Sequence, residues 1–579
     1  MKTSSFSLRV RFIFILIILF SILLTVRLYF LQIVNGDIFL EKADRQYTTV
    51  SNNVFDRGSI FFQTKDGSLV SAATLKTGYT VAVSPKLILD GDLVYKTLSQ
   101  YLTLDPAVFY SKMLKKNDPY EEIARKVPEE IVKKIDAEKI TGLIIQKEKW
   151  RYYPGESLAA RLTGFVGYND VGDALEGRYG LEKYYNDTLV RDGGDIYVNV
   201  FAEIFSNINK NFIQDSQREG DIITTINPEV EGYLENALSQ TTKKWNSKIT
   251  GGIVIDPKTG EIYAMGVYPE FNLNDFSKEK DVGVFSNPLV SDSYELGSVI
   301  KAITMASGFD SGVISAKTTF TDYGFIELDG YKVYNVDKKS RGKTSMQDVL
   351  NHSMNTGATF VMQSMGRQKF LDYFKRFGIG TETGIDLPGE SAGNIDNLTS
   401  NLSSSKQIEF ANASFGQGFS MTPIAATRAF SVLANGGKLI TPHVVSRIDY
   451  KVGLSKKVSY IDEAQQIISK GTSEEITRML VNLVDTALIQ GQYKIEHYSV
   501  AAKTGTAQIA RSAKDGGGYY PDRFLHSFFG YFPAYNPRFL VFLYTIEPQN
   551  IDFASNTLSK PFFDIAKYLI NYYEIPPDR

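Results

Sequence analysis

Three short groupings in the C-terminal half of the chain have the composition of a catalytic apparatus: Ser298-Val299-Ile300-Lys301, Ser353-Met354-Asn355 and Lys503-Thr504-Gly505. A serine hydroxyl is a poor nucleophile until a base takes its proton. A lysine serves as that base only where burial and neighbouring cations depress its pKa. The spacing of three puts Ser298 and Lys301 on one helix face, one turn apart. Gly297 allows a tight turn just before that helix, and a helix N-terminus favours negative charge developing at the serine. The same residues also fit an ordinary N-cap serine followed by a surface lysine. Ser353 and Asn355 lie in NHSMNTGA between two helical stretches. From a polar loop there, Ser353 can relay a proton to a leaving group and Asn355 can hold Lys301 and a substrate amide. Alternatively, Asn355 and Thr356 simply start the next helix.

Lys503 to Ala507 follows SVAA and precedes QIA, which predicts a strand. Gly505 removes a side chain where the strand edge must approach a substrate backbone, and such an edge can take an extended peptide as an added strand. Lys503 supplies a cation for a carboxylate, while Thr504 and Thr506 supply hydroxyls. The Thr506 backbone N–H can complete an oxyanion hole with that of Ser298, and one such donor is worth about 3 kcal/mol in other serine enzymes. No metal and no cofactor is called for.

Each grouping alone is weak. Ser-x-x-Lys recurs at Ser277 to Lys280 and Ser403 to Lys406, Ser-x-Asn at Ser51 to Asn53, and Lys-Thr-Gly at Lys76 to Gly78 and Lys258 to Gly260. The Lys258 copy falls in a hairpin turn and the Lys76 copy in the N-terminal scaffold region. Order and setting single out the first set, and three boxes in this order are the signature of penicillin-binding proteins and class A β-lactamases. Other chemistries are restricted by composition. The chain has no cysteine, which excludes thiolate nucleophiles and disulfides, and only four histidines. His352 lies beside Ser353, but no acid and nucleophile at triad spacing accompany it, so it reads as structural. A net charge of −2 over 579 residues gives no reason to expect a nucleic-acid partner.

These residues need elements to position them. Gly251 to Met265, GGIVIDPKTGEIYAM, is two apolar runs around a turn-rich centre and predicts a β-hairpin. Helix is predicted over 298–309 and in segments from Ser345 to Phe377. Strands are predicted over 499–509 and 524–546, and a closing amphipathic helix over 560–573. Strands first, helices in the middle and strands plus a helix last give an α+β domain with an antiparallel sheet, over 245–575. Residues 37–230 form a mixed segment: Gly78 to Val83 alternates like a half-buried strand, Pro119 to Lys139 reads as a solvated helix, and Asp192 to Asp195 as a turn between lobes. At the N-terminus, Lys2, Arg9 and Arg11 precede an apolar run, and Asp37 and Glu41 follow it. This predicts a cytoplasmic tail over 1–11, an uncleaved single-pass anchor over 12–34 with Arg27 snorkelling, and the bulk of the chain outside.

Over nearly its whole length the sequence resembles the class B penicillin-binding proteins. YELGSVIK, SMN and KTGTA resemble the three boxes of that family. FDRGSIFF with Arg57 and Gly58, and GRYGLEKYYND with Gly180 and Glu182, resemble its pedestal (dimerisation) domain. Leu296 and Ile300 depart from the proline and aromatic residue common at those positions, leaving the chemistry intact. The resemblance implies a serine β-lactamase/transpeptidase-like domain behind a pedestal. It also implies a D,D-transpeptidase in which Ser298 attacks a peptidoglycan stem peptide and expels D-alanine, with β-lactams acylating the same serine. The closing segments look more like the division-specific (FtsI-like) type, which implies a SEDS-family glycosyltransferase and divisome proteins as partners. The alternatives are an elongation-specific transpeptidase, a D,D-carboxypeptidase or a non-catalytic β-lactam-binding scaffold. Hydrolysis would need a water-activating base, and Glu382 and Glu390 read as loop residues instead.

Overall fold

The computed structural model describes residues 20, 55–169, 172, 174–191, 219–511 and 516–579. Apart from Phe20, the expected anchor over 12–34 lies outside these residues, as do Ser51 to Asn53 and the expected turn at Asp192 to Asp195. Among the described residues no helix is long and apolar enough to cross a membrane. The described chain falls into two compact units, one built from 76–150 and the other from 57–75, 151–191 and 219–579.

The larger unit is organised on a five-stranded antiparallel sheet. Its order is Ala501–Ala510, Tyr519–Phe532, Phe539–Ile546, Ile249–Ile255 and Ile262–Tyr268, which leaves the Lys503 strand at one edge. The expected hairpin forms with Val254 opposite Ala264. Alternation along Tyr519–Phe532 sends successive side chains to opposite faces. Phe528 stacks on Phe562 of the closing helix at 4.5 Å, whereas Phe529 stacks on Phe430 at 4.0 Å. The sheet is thus covered on both faces: helices Pro228–Trp245 and Ala554–Tyr572 lie together, joined by the Tyr233–Tyr568 stack at 3.9 Å, and helix Pro423–Ala434 packs opposite. The closing helix begins six residues earlier than the sequence suggests and carries Pro561 in its interior. Its first residue, Ala554, donates its N–H to the Thr506 hydroxyl at 3.1 Å, so contact with the edge strand helps fix that start.

Arg57 and Glu182 meet in this unit. The buried Glu182 carboxylate accepts Arg57 Nε at 2.6 Å and Arg151 Nε at 2.5 Å, while Arg57 Nη1 reaches the Asn186 side chain at 3.0 Å. Buried charges persist only when paired in this way.

In the smaller unit, Gly78 to Val83 lies within the strand Leu69–Val83 as expected, but Thr80 to Val83 are buried throughout rather than alternating. The predicted helix over Pro119 to Lys139 is corrected: Glu121–Val127 is a strand paired with Leu69–Val83, and only Glu129–Ala137 is helical. The charged residues here suit a helix, but pairing with Leu69–Val83 overrides that local propensity. Pro128 ends the strand and occupies the N-cap of the helix.

Candidate active site

Ser298 sits in a single 3-10 turn, Gly297–Ile300, that feeds helix Lys301–Asp310. The segment before it is held from two sides. Tyr294 and Met421 exchange both backbone hydrogen bonds, and Gly297 N–H donates to the Gly416 carbonyl at 3.0 Å. On the other side the Ser527 hydroxyl donates to the Leu296 carbonyl at 2.7 Å.

Two glycines make this seat possible. Gly297 has φ +65°, and a Cβ there would lie 2.5 Å from the Thr506 carbonyl oxygen. A Cβ on Gly505 would lie 2.4 Å from Ser527 Oγ and 2.5 Å from the Leu296 carbonyl oxygen. On the side a Cβ would take, Gly505 is approached by the chain itself, where the edge strand meets the Ser298 turn.

Lys301 is fully buried, and its Nζ lies 3.0 Å from Ser298 Oγ, 2.5 Å from the Ser353 carbonyl oxygen and 3.2 Å from Ser353 Oγ. Burial pushes its pKa well below the ordinary lysine value, and the positive charge of Lys503 pushes it further. Lys503, 3% exposed, places its Nζ 3.1 Å from Ser353 Oγ and 2.9 Å from the Thr504 carbonyl oxygen. Burial lowers its pKa to about 7. Ser353 Oγ therefore bridges two lysines, and its backbone takes φ +52°, a strained value for a residue with a Cβ. Ser298, Lys301, Ser353 and Lys503 form one hydrogen-bonded chain, the local requirement for drawing a proton from a serine and passing it on.

Asn355 is placed differently from the expectation. It opens helix Asn355–Met365, and its Nδ2 donates to the Tyr334 carbonyl at 2.9 Å rather than contacting Lys301. That bond uses the amide nitrogen as donor and leaves the Oδ1 acceptor of Asn355 outside it. The next residue anchors the helix start: Thr356 Oγ1 donates to buried Asp322 at 2.9 Å, and Thr356 N–H to the Asn335 side chain at 3.2 Å. Thr504 and Thr506 are half-buried on the edge strand, with Gly505 between them facing the Ser298 turn.

The repeated motifs stand elsewhere. Lys258 lies in the hairpin turn with Nζ on Asn536 at 2.5 Å, and Lys76 to Gly78 runs within the strand Leu69–Val83. His352 is exposed at the end of helix Met346–Asn351; His443 and His526 are buried on Thr441 and Thr557. Glu390 accepts the Thr383 and Gly384 amides, a structural role in its loop.

Sequence reasoning missed Glu295 and Tyr519. The Glu295 carboxylate, three residues before Ser298, accepts the Tyr519 hydroxyl at 3.0 Å, and burial pushes its pKa up to about 7. Its position next to Leu-Gly-Ser was the available signal; nothing local points to Tyr519, which is 224 positions away.

Comparison with known proteins bears on this arrangement. The family described as penicillin binding protein transpeptidase domain matches residues 250–567, and the penicillin-binding protein dimerisation domain matches 56–222. Stage V sporulation protein D of Bacillus subtilis is 29% identical, over 97% of this chain and 85% of its own length. The peptidoglycan D,D-transpeptidase FtsI of Escherichia coli is 23% identical, over 95% and 90%. Among solved structures, penicillin binding protein 2X from Streptococcus thermophilus superposes with a TM-score of 0.72 at 19% identity, covering 90% of this chain and 79% of that one. Penicillin binding protein 3 from Mycobacterium tuberculosis, complexed with aztreonam, gives 0.67 at 22% identity, covering 91% and 98%.

Proposed function

The chain belongs to the class B penicillin-binding proteins, FtsI-like in type, and from that premise we propose that it cross-links peptidoglycan through an acyl-enzyme on Ser298. It is a peptidoglycan D,D-transpeptidase. The observation carrying the serine mechanism is the hydrogen-bonded chain from Ser298 Oγ through Lys301 Nζ and Ser353 Oγ to Lys503 Nζ.

With its pKa depressed, Lys301 is available as a neutral amine and takes the Ser298 proton. Ser298 Oγ then attacks the penultimate D-alanine carbonyl of a donor stem. The oxyanion is received by the backbone N–H groups of Ser298 and Thr506, and the C–N bond breaks. The departing terminal D-alanine takes a proton relayed from Lys301 through Ser353. An amine from a neighbouring stem attacks the ester and gives its proton back along the same path, while Ser298 leaves reprotonated. Lys503, with Thr504 and Thr506, holds the terminal carboxylate. Because Asn355 Nδ2 is engaged with Tyr334, its Oδ1 is the atom offered to a substrate amide N–H. β-Lactams acylate the same serine.

In this reading the chain sits in the cell membrane by a single span over 12–34, with its tail inside and the catalytic domain outside. Residues 37–230 form the pedestal and 245–575 the transpeptidase domain. It works in septal wall synthesis beside a SEDS-family glycosyltransferase and divisome proteins. Incubation with lipid-linked strands and a partner polymerase tests the reaction: cross-linked dimers are expected, and shortened stems without dimers would make the protein a carboxypeptidase. Imaging at septum or side wall tests the role.

A further inference from the structure

A small hairpin beside the Ser-x-Asn residues presents an unusual surface. Strands Phe325–Leu328 and Tyr331–Tyr334 pair with Phe325 opposite Tyr334 and Glu327 opposite Lys332. The inward face, Ile326, Leu328 and Val333, joins the core. The outward face carries the rings of Phe325 and Tyr334, 5.8 Å apart, with Lys332 Nζ 4.8 Å from the first and Lys338 Nζ 5.6 Å from the second. Tyr334 is 42% exposed, and Tyr331 at the hairpin turn 64%. Nearby acids are largely committed: Asp337 pairs with Arg341 at 2.6 Å, and Asp329 accepts the Gln407 and Ile408 amides; Glu327 faces Lys332 across the hairpin. The platform is also tied to the site, since the Tyr334 carbonyl holds Asn355, and Asp322 and Asn335 anchor the hairpin base to Thr356.

We propose that this hairpin is a docking site for the peptidoglycan strand itself, the Phe325 and Tyr334 rings packing against sugar faces while Lys332 and Lys338 meet stem-peptide carboxylates. The inference rests on the transpeptidase reading. A polymeric substrate extends well beyond the atoms that react at Ser298, and the surface continuous with Asn355 has the chemistry of that polymer. Aromatic rings offer flat apolar contact to the C–H faces of sugars, and ring-seated ammonium groups supply complementary charge at little desolvation cost. Binding energy from such remote parts is what positions a substrate for the chemical step.

The test is co-sedimentation of the full chain with purified insoluble peptidoglycan, comparing wild type with Lys332→Glu/Lys338→Glu and with Phe325→Leu. Loss of two exposed charge contacts is expected to weaken binding about threefold to tenfold. Peptidoglycan whose carboxylates have been amidated should bind wild type no better than the double variant. Equal sedimentation of wild type and both variants overturns the proposal. So does an unchanged affinity for strands accompanied by loss of a protein partner, which would assign the hairpin to protein docking. Fluorescent-penicillin labelling on the same samples reports the Ser298 site separately: wild type that fails to label overturns the mechanism, whereas normal labelling with unchanged strand binding overturns only the docking site.

Discussion

Gly505→Ala tests whether backbone contact between the edge strand and the Ser298 turn sets the nucleophile. The added Cβ would stand 2.5 Å from the Leu296 carbonyl oxygen, 2.4 Å from Ser527 Oγ and 3.0 Å from Val299 N, against an ordinary contact of 3.4 Å or more. Ser527 can rotate; the Leu296 carbonyl cannot, because Gly297 is pinned behind it by Gly416. The turn must therefore retreat from the strand by about 0.9 Å, and a displacement near 1 Å costs a reaction about a hundredfold. Overpacking of this kind destabilises by about 1–3 kcal/mol, which leaves a large domain folded. The assay is the second-order rate of acylation by a fluorescent penicillin, read beside a thermal melt. A control exists in Gly471, in helix Lys470–Asn482, where a Cβ meets nothing within 4 Å. Gly471→Ala should leave acylation alone and stabilise by about 0.5–1 kcal/mol. If Gly505→Ala acylates within about threefold of wild type while folded, less than 1 kcal/mol of barrier, the interlock does not position Ser298.

Three further outcomes follow from the buried charges. Lys503 has a folded pKa of about 7 against an ordinary value of 10.5, so the folded state resists its charge. That burden is complete below about pH 7 and fades as pH rises toward 10.5; Lys503→Met should melt above wild type at pH 6, converge with it at high pH, and lose acylation. For Glu295 the folded pKa is raised to about 7 from 4.5, so the folded state favours its protonated form and stability falls as pH rises through that window. Glu295→Gln should match wild type below pH 4.5, melt progressively above it as pH rises to about 7, and keep that margin at higher pH; a constant gap between pH 4 and 7 would refute the burial argument. Arg57→Ala removes one of the two guanidinium groups on the buried Glu182 carboxylate and leaves Arg151 paired with it, and should cost about 2–3 kcal/mol by chemical denaturation.

Much of the site is legible because its spacings are local. Ser298 and Lys301 are one helical turn apart, and Lys503 to Ala507 lies in a short run whose Val, Thr and Ile residues favour a strand. The order of the boxes then ties distant segments together. What stays hidden depends on tertiary approach. Nothing beside Gly505 says that the atoms pressing on it are Leu296 and Ser527, and nothing beside Asn355 names Tyr334 as its partner. The strand at Glu121–Val127 reads as helix because its charges suit both, and only its pairing with Leu69–Val83 decides. Glu295 is conspicuous in the sequence but mute without Tyr519. The two lysine pKa shifts follow from burial that no motif records.

The central claim, that Ser298 is the nucleophile, is tested most directly by mapping a covalent adduct. Full-length protein treated with a fluorescent penicillin and digested under denaturing conditions should carry the label on the peptide containing Ser298, and Ser298→Ala should carry none. A label on any other residue, or persistent labelling of Ser298→Ala, would contradict the account.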